Sequence, residues 1–231
     1  MPKESSLTEE GEPSRPPAPR RTLRTVQKEQ TRESLVAAAR QVFESRGYAD
    51  ATVDDIVAIT GASRGTFYVH FPSKAAIMAE LIVREYQSAN AQVRRDVPDY
   101  LSSVEGLESW LRRYADGFRT RRAFLRAWAQ AEAIEPSLKH LRFLNMQDRV
   151  ERYHAAVESA GLADSRSEAE RSADIFLFVI AADSVMRLWL LDGLDVDGEQ
   201  MIPRLARLWY LAVYGVLPSS RDAEPRKRHR N

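Results

Sequence analysis

The span richest in groups able to contact a charged partner is TGASRGTFYVHFPSK, residues 60–74. It holds a guanidinium, a phenol, an imidazole, an ammonium and several hydroxyls, with two phenylalanines between them. On a helical wheel at about 100° per residue, Phe67 and Phe71 fall together and define a packed side. Gly65, Thr66 and Val69 lie opposite. Arg64 and Tyr68 flank that outer strip on one edge and His70 flanks it on the other. A helix that is small along its exposed middle and polar at its edges has the shape of a rod set into a major groove, where bulky side chains would hold the backbone away. Thr66 and Val69 then meet base edges and thymine methyls. Arg64 reaches a guanine edge or a phosphate, and Tyr68 suits a phosphate oxygen.

Catalytic chemistry finds no comparable constellation. The chain has no Cys, which removes disulfides, thiolate metal sites and cysteine nucleophiles. Of the four His, His70 sits in the short helix and His229 near the end; His140 and His154 are fourteen residues apart on one predicted helix, about 21 Å, too far to share a metal or a proton. No P-loop, dinucleotide-binding glycine motif or nucleophile elbow occurs. The expectation is therefore no enzyme, no catalytic residue, no metal and no cofactor.

The elements that must position the opening stretch are all helical by period. Leu35, Ala39, Val42 and Phe43 mark a first helix over about 25–46, closed by Gly47. Thr52 is placed as an N-cap with Asp55 three residues on, Gly61 breaks the second helix, Ser63 caps the third, and Pro72 ends it. Ser73 caps a fourth helix running to about Arg95. Thr52 and Ser73 thus begin helices whose free N–H groups favour anions, and Lys74 adds a charge. Residues 50–71 read as helix, tight glycine turn, helix. Further on, the stripe Leu107, Trp110, Leu111, Tyr114, Phe118, the group Phe124, Leu125, Trp128, and a helix from Pro136 to Gly161 continue the pattern. Ser167 with Glu170 forms a capping box for a long segment to Leu191, closed by Gly193, and a last helix lies around 202–216, its apolar side ending at Val216. The fold class is all-α: an N-terminal three-helix helix-turn-helix domain plus a C-terminal helical domain, about nine helices in total.

Composition divides the chain. Residues 1–19 hold five of the eleven prolines and form a disordered leader. Residues 20–75, the helix-turn-helix domain, carry net charge +3, residues 76–218 carry −3, and the basic tail 219–231 again +3. A basic front joined to an acidic body places a polyanion at the front. The arm from Arg20 to Lys28 leads into the first helix and could follow a groove; the tail is an ordinary solvated charge run with a possible DNA role. No signal segment opens the sequence, and its longest apolar run, Ile175–Ala182, is too short for a membrane span of about twenty residues. The expectation is a cytoplasmic protein without membrane contact.

In the body, aromatic stripes read first as core. Polar residues among them mark a candidate small-molecule cavity: Arg126, Glu132, Asn145 and Asp183, together with Trp110, Tyr114, Phe118 and Trp128. Asp183 and Arg187, one turn apart, read as a structural ion pair. The segment Ile175–Leu191 is apolar almost all round, as a helix needs when it meets both its own core and a partner. With the last helix it forms a four-helix dimer interface through Phe178, Val185, Trp189, Leu205 and Trp209.

The run TVDDIVAITGASRGTFYVHFPSKAAIMAEL, after a helix ending FESRGY, resembles the DNA-binding domain of TetR-family transcriptional regulators over roughly residues 28–82. The T-x-x-x-I, G-x-S-x-G-T-F-Y and Y-x-H-F-x-S-K spacings occur together and in order. It departs at Val57 and Thr60, where small Ala is common, and at Ala62, where Val is common. The resemblance implies a homodimer on a palindromic double-stranded operator, more often a repressor than an activator, released when a small apolar molecule enters the helical domain. By position, Thr52, Arg64, Thr66, Tyr68, His70 and Lys74 match the family's DNA contacts. Two other classes fit the same composition: a helical adaptor that binds protein, and a nonspecific nucleic-acid binder working through its basic arm and tail.

Overall fold

A computed structural model describes residues 23–100, 103–159 and 167–214 of the chain. The leader 1–19, the arm's Arg20 and Arg21, the expected helix end at Gly161, Val216 and the basic tail lie outside them. Among the described residues there are nine α-helices and no strand: α1 Leu23–Asp50, α2 Val53–Thr60, α3 Arg64–His70, α4 Lys74–Tyr100, α5 Val104–Thr120, α6 Arg122–Ile134, α7 Pro136–Ser159, α8 Glu168–Leu190 and α9 Gly198–Tyr214. No described helix is long and apolar enough to cross a membrane.

Local signals set most boundaries. Thr52 and Asp55 form a reciprocal capping box at α2, and Ser167 with Glu170 forms another at α8. Gly61 adopts the left-handed conformation, φ 70°, that an L side chain takes only at a cost. The α9 start falls earlier than the expected residue 202 because Asp197 accepts a hydrogen bond from the Gln200 N–H at 3.2 Å and caps the helix there. Pro203 is then accommodated inside the helix.

Two buried clusters organise the packing. The first joins Leu35, Ala39 and Phe43 of α1, Ile56 of α2, Phe67 of α3 and Ile77 and Ile82 of α4. It does not stop at residue 75: it also takes in Phe124, Ala127 and Ala131 of α6 and Leu138 of α7. The second centres on Leu111, Tyr153, Val179 and Trp209, from α5, α7, α8 and α9. Salt bridges stitch α1 to α4. Arg32 and Arg84 both hold Glu80, which their hydrogen bonds lower to about 2, so this carboxylate is ionised throughout the neutral range.

The chain path turns sharply at Gly47, where φ 78° and ψ 171° interrupt α1. That region of backbone space is essentially reserved for glycine. Gln130 of α6 sits against the same turn, its Oε1 accepting from the Tyr48 N–H at 2.8 Å. A β-carbon on residue 47 would lie 2.5 Å from that oxygen. Gly47→Ala is therefore expected to destabilise the protein by about 1–3 kcal/mol, read as a lower urea midpoint. An unchanged midpoint would show that the turn relaxes without strain.

Candidate nucleic-acid interface and internal cavity

The α3 helix is only seven residues long, well under the about 12–15 residues at which isolated helices become marginal. It is held from three sides. Ser63 Oγ accepts the Thr66 N–H at 3.0 Å and fixes its start. The Phe71 N–H closes the last turn on the Phe67 carbonyl at 2.9 Å, and Pro72 stops propagation. Phe67 and Phe71 are buried, with ring centroids 5.9 Å apart, and the Arg32 guanidinium covers the Phe71 ring at 4.9 Å. Sequence reasoning placed both rings inward, and they are.

The opposite strip faces outward. Val69 is 70% exposed, Gly65 is exposed, and Thr66 is half-buried with its hydroxyl 2.9 Å from that of Ser63. Tyr68 is exposed at the edge and packs edge-on against Phe67. Arg64 donates to Asp54 of α2 at 3.2 Å across an exposed pair, which orients the guanidinium along the strip's rim. His70, half-buried, has its pKa lowered by burial and by Lys28 and Arg32 nearby. It is neutral at pH 7, so it offers a hydrogen bond rather than a charge.

Two expected anion contacts have structural work instead. Lys74 Nζ donates to the Tyr48 carbonyl at 2.7 Å and to the Ala51 carbonyl at 2.8 Å, and lies 4.3 Å over the Tyr48 ring. Its ammonium satisfies the carbonyls that the end of α1 leaves open. Thr52 donates its hydroxyl to Asp55 at 2.6 Å, and Asp55 in turn pairs with Arg46 at 2.8 Å. The start of α2 thus already holds a carboxylate, which occupies the place a phosphate would take.

A cavity of about 660 Å³ opens between α4, α5, α6, α7 and α8, within the size range of sites that bury a small organic molecule. Tyr114, Phe118, Trp128, Glu132, Asn145 and Asp183 line it, as expected from the sequence. Trp110 does not: it stacks behind Tyr114 at 5.2 Å with the rings nearly parallel, inside the core. Arg126 points away and donates to the Leu191 carbonyl through Nη2 at 2.8 Å and Nε at 3.2 Å, closing the end of α8. The expected Asp183–Arg187 pair is not made. Asp183 accepts from the Tyr114 hydroxyl and, at 2.8 Å, from Arg149, while Arg187 sits 3.9 Å from Asp192. Burial pushes the phenols of Tyr114 and Tyr153 up, the latter to about 12, so both stay neutral. Burial also raises the Glu132 carboxyl, against the pull of Arg142 and Arg187.

Sequence reasoning missed Arg149, Arg142, Tyr86 and Glu85 on the cavity wall. A signal existed for the α7 pair: residues 142, 145, 149 and 153 recur at one face's spacing. Glu85 is buried between Arg40 of α1 at 3.1 Å and Arg121 at 2.5 Å. His140 is exposed, and among the described residues no three potential metal ligands gather.

The dimer assignment needs correction. Phe178, Leu205 and Trp209 are buried in the chain's own core, with Trp209 between Tyr153 and Phe178. Val185 is partly buried there, and Trp189 packs on the first turn of α9, where a β-carbon on Gly198 would lie 1.9 Å from its ring. The exposed large apolar residues of these helices are their neighbours Phe176, Leu177 and Leu188 on α8 and Leu208 and Leu211 on α9.

A helix-turn-helix with a small, exposed strip on its second helix, backed by a helical body, defines a DNA-binding transcriptional regulator. Residues 35–81 match the model for bacterial regulatory proteins of the tetR family. The HTH-type transcriptional regulator EthR of Mycolicibacterium smegmatis is 23% identical over 188 residues, covering 80% of this chain and 87% of the relative. EthR of Mycobacterium tuberculosis is 26% identical over 189 residues, covering 79% and 86%. Among solved structures, a TetR-family regulator from Mesorhizobium loti superposes with TM-score 0.61 at 18% identity, over 82% of this chain and 98% of that one. Over residues 35–81 the chain thus carries the DNA-binding segment of tetR-family regulators, and the relatives and solved structures that it resembles over most of its length are transcriptional regulators.

The geometry separates support from contact on α3. Phe67→Ala should cost about 3–5 kcal/mol of folding stability, whereas Val69→Ala should change it by less than about 0.5 kcal/mol. Thermal unfolding of the two variants checks this; equal losses would place Val69 in the core.

Proposed function

We propose that this protein is a ligand-responsive homodimer that binds a palindromic operator, acts as a repressor, and is released when a small molecule fills the cavity between α4 and α8. The observation that carries the reading is the exposed strip Gly65, Thr66, Val69, edged by Arg64, Tyr68 and His70 and anchored from behind by two buried rings. In this reading those six residues enter the major groove, and Thr52 and Lys74 shape the ends of the helices around them. A relative matching over 55 residues at 40% identity, BepR of Brucella suis, is by name a repressor.

Dimerisation is assigned to the outer faces of α8 and α9, where Leu177, Leu188, Leu208 and Leu211 form an apolar surface beside each chain's own core. Two such helix pairs make a four-helix contact. Coupling follows from α4. Its first turn ties the end of α1 through Lys74, and Glu85 and Tyr86 further along line the cavity. A ligand that tilts α4 changes the separation of the two reading helices, and a duplex offers matching grooves only at multiples of about 34 Å.

Footprinting of the purified protein on DNA upstream of its own gene tests the assignment. A protected palindrome is expected, and Arg64→Ala should weaken it by about 1–3 kcal/mol. Binding that ignores sequence and fades uniformly with salt would overturn it. Leu177→Asp should shift the protein from dimer to monomer by sedimentation and abolish protection; a stable dimer in that variant would move the interface elsewhere.

A further inference from the structure

The cavity wall is not electrically neutral, and its charges are not equally satisfied. Three carboxylates line it. Glu85 is held by Arg40 and Arg121, and Asp183 by Arg149 and the Tyr114 hydroxyl. These two acids and their arginines are mutually spent. Glu132 differs: it is 7% exposed, and its Oε1 is buried without a hydrogen bond. The nearest cation, Arg142 Nε, is also buried without a hydrogen bond and stands 3.7 Å away, beyond hydrogen-bonding reach.

The Arg187 side chain, also on the wall, makes no hydrogen bond among the described residues; the exposed Asp192 stands 3.9 Å from it. Arg142, Arg187 and Lys139 all pull on the Glu132 carboxyl. Around that end of the cavity three cations therefore face two carboxylates, Glu132 and Asp192, and two of the cations keep their donors free. A cationic ligand entering there meets net repulsion. An anion meets two guanidiniums built to grip a carboxylate in parallel hydrogen bonds. Both arginine side chains are about two-fifths exposed, 42% and 39%, so they stand at the mouth, where a charged head stays partly hydrated. Deeper in, Tyr86 and Trp128 meet edge to face at 5.0 Å beside Phe118 and offer an apolar bed.

We infer that the cavity takes an amphipathic organic anion, its apolar body against Tyr86, Trp128 and Phe118 and its carboxylate on Arg142 and Arg187. The inference rests on the cavity being the effector site, and it names the chemical class that site selects. Glu132 then sets specificity: as the acid beside the head group that holds neither arginine by a hydrogen bond, it weakens anion binding while ionised.

Three probes of one skeleton test this on the full-length protein: naphthylacetate, naphthylacetamide and naphthylethylamine, titrated by calorimetry and by tryptophan fluorescence. The acid is expected to bind about tenfold more tightly than the amide, as for a hydrogen bond to a charged group, and the amine most weakly. The double variant Arg142→Gln/Arg187→Gln should erase the preference for the acid over the amide. Glu132→Gln should strengthen the acid several-fold, a gain that a misfolded variant cannot produce. An amide or amine that binds as tightly as the acid, or a preference that survives in the double variant, overturns the inference. If such a neutral or cationic probe still releases the protein from its operator, the effector cavity stands and only the anionic class falls. If none of the three binds, both fall.

Discussion

Two phenylalanine rings determine what α3 is free to do. A helix of one and a half to two turns has too few internal hydrogen bonds to hold its own shape, so Phe67 and Phe71 supply the order that its backbone cannot. Their burial leaves nothing on the far side with a packing duty. Residue choice there is relieved of core constraints, and a glycine, a threonine and a valine can stand in a row that would be a defect elsewhere. The Ser63 cap and the Arg64–Asp54 pair then fix the ends of a rod whose middle is bare. The bare outer face is thus a by-product of how the rod is fastened.

The same division explains what could be read from the chain. Caps and turns act over three or four residues, so Thr52 with Asp55, Gly61, Ser63 and Pro72 were legible directly, and Gly47 marked the end of the first helix although its backbone strain was not. The outward face of α3 was legible because its apolar and small residues alternate cleanly around one turn. The α8 helix was not, since it is apolar on nearly every side and its period carries no direction. Adjacent residues there have opposite fates: Phe178 enters the core and Leu177 faces out. Large rings such as Trp209 fit the core better than they fit a flat contact, and the smaller leucines were left at the surface.

Charged partners were the least legible feature, because they are chosen by packing between distant helices. Asp183 passes over Arg187 one turn away for Arg149 on α7, where the helix crossing brings guanidinium, phenol and carboxylate together. Arg126 leaves its aromatic neighbours to close the end of α8. Lys74 turns from the surface to the carbonyls of Tyr48 and Ala51. In each case an unsatisfied backbone or carboxylate oxygen, invisible in one dimension, outbids the local neighbour. Along the cavity wall Tyr86 meets Trp128, and Tyr114 meets Phe118, edge to face.

The sixth helix belongs to both ends of the molecule. One side contributes Phe124, Ala127 and Ala131 to the cluster beneath α3, and its Gln130 grips the turn at Gly47; its other side presents Leu125, Trp128 and Glu132 to the hollow. A fragment cut after residue 75 would keep Leu35, Phe43, Ile56 and Phe67 but strip the cover that α6 lays over them. Because α6 is shared, opening of the front cluster and opening of the hollow's wall are not independent events, and both draw on the same helix.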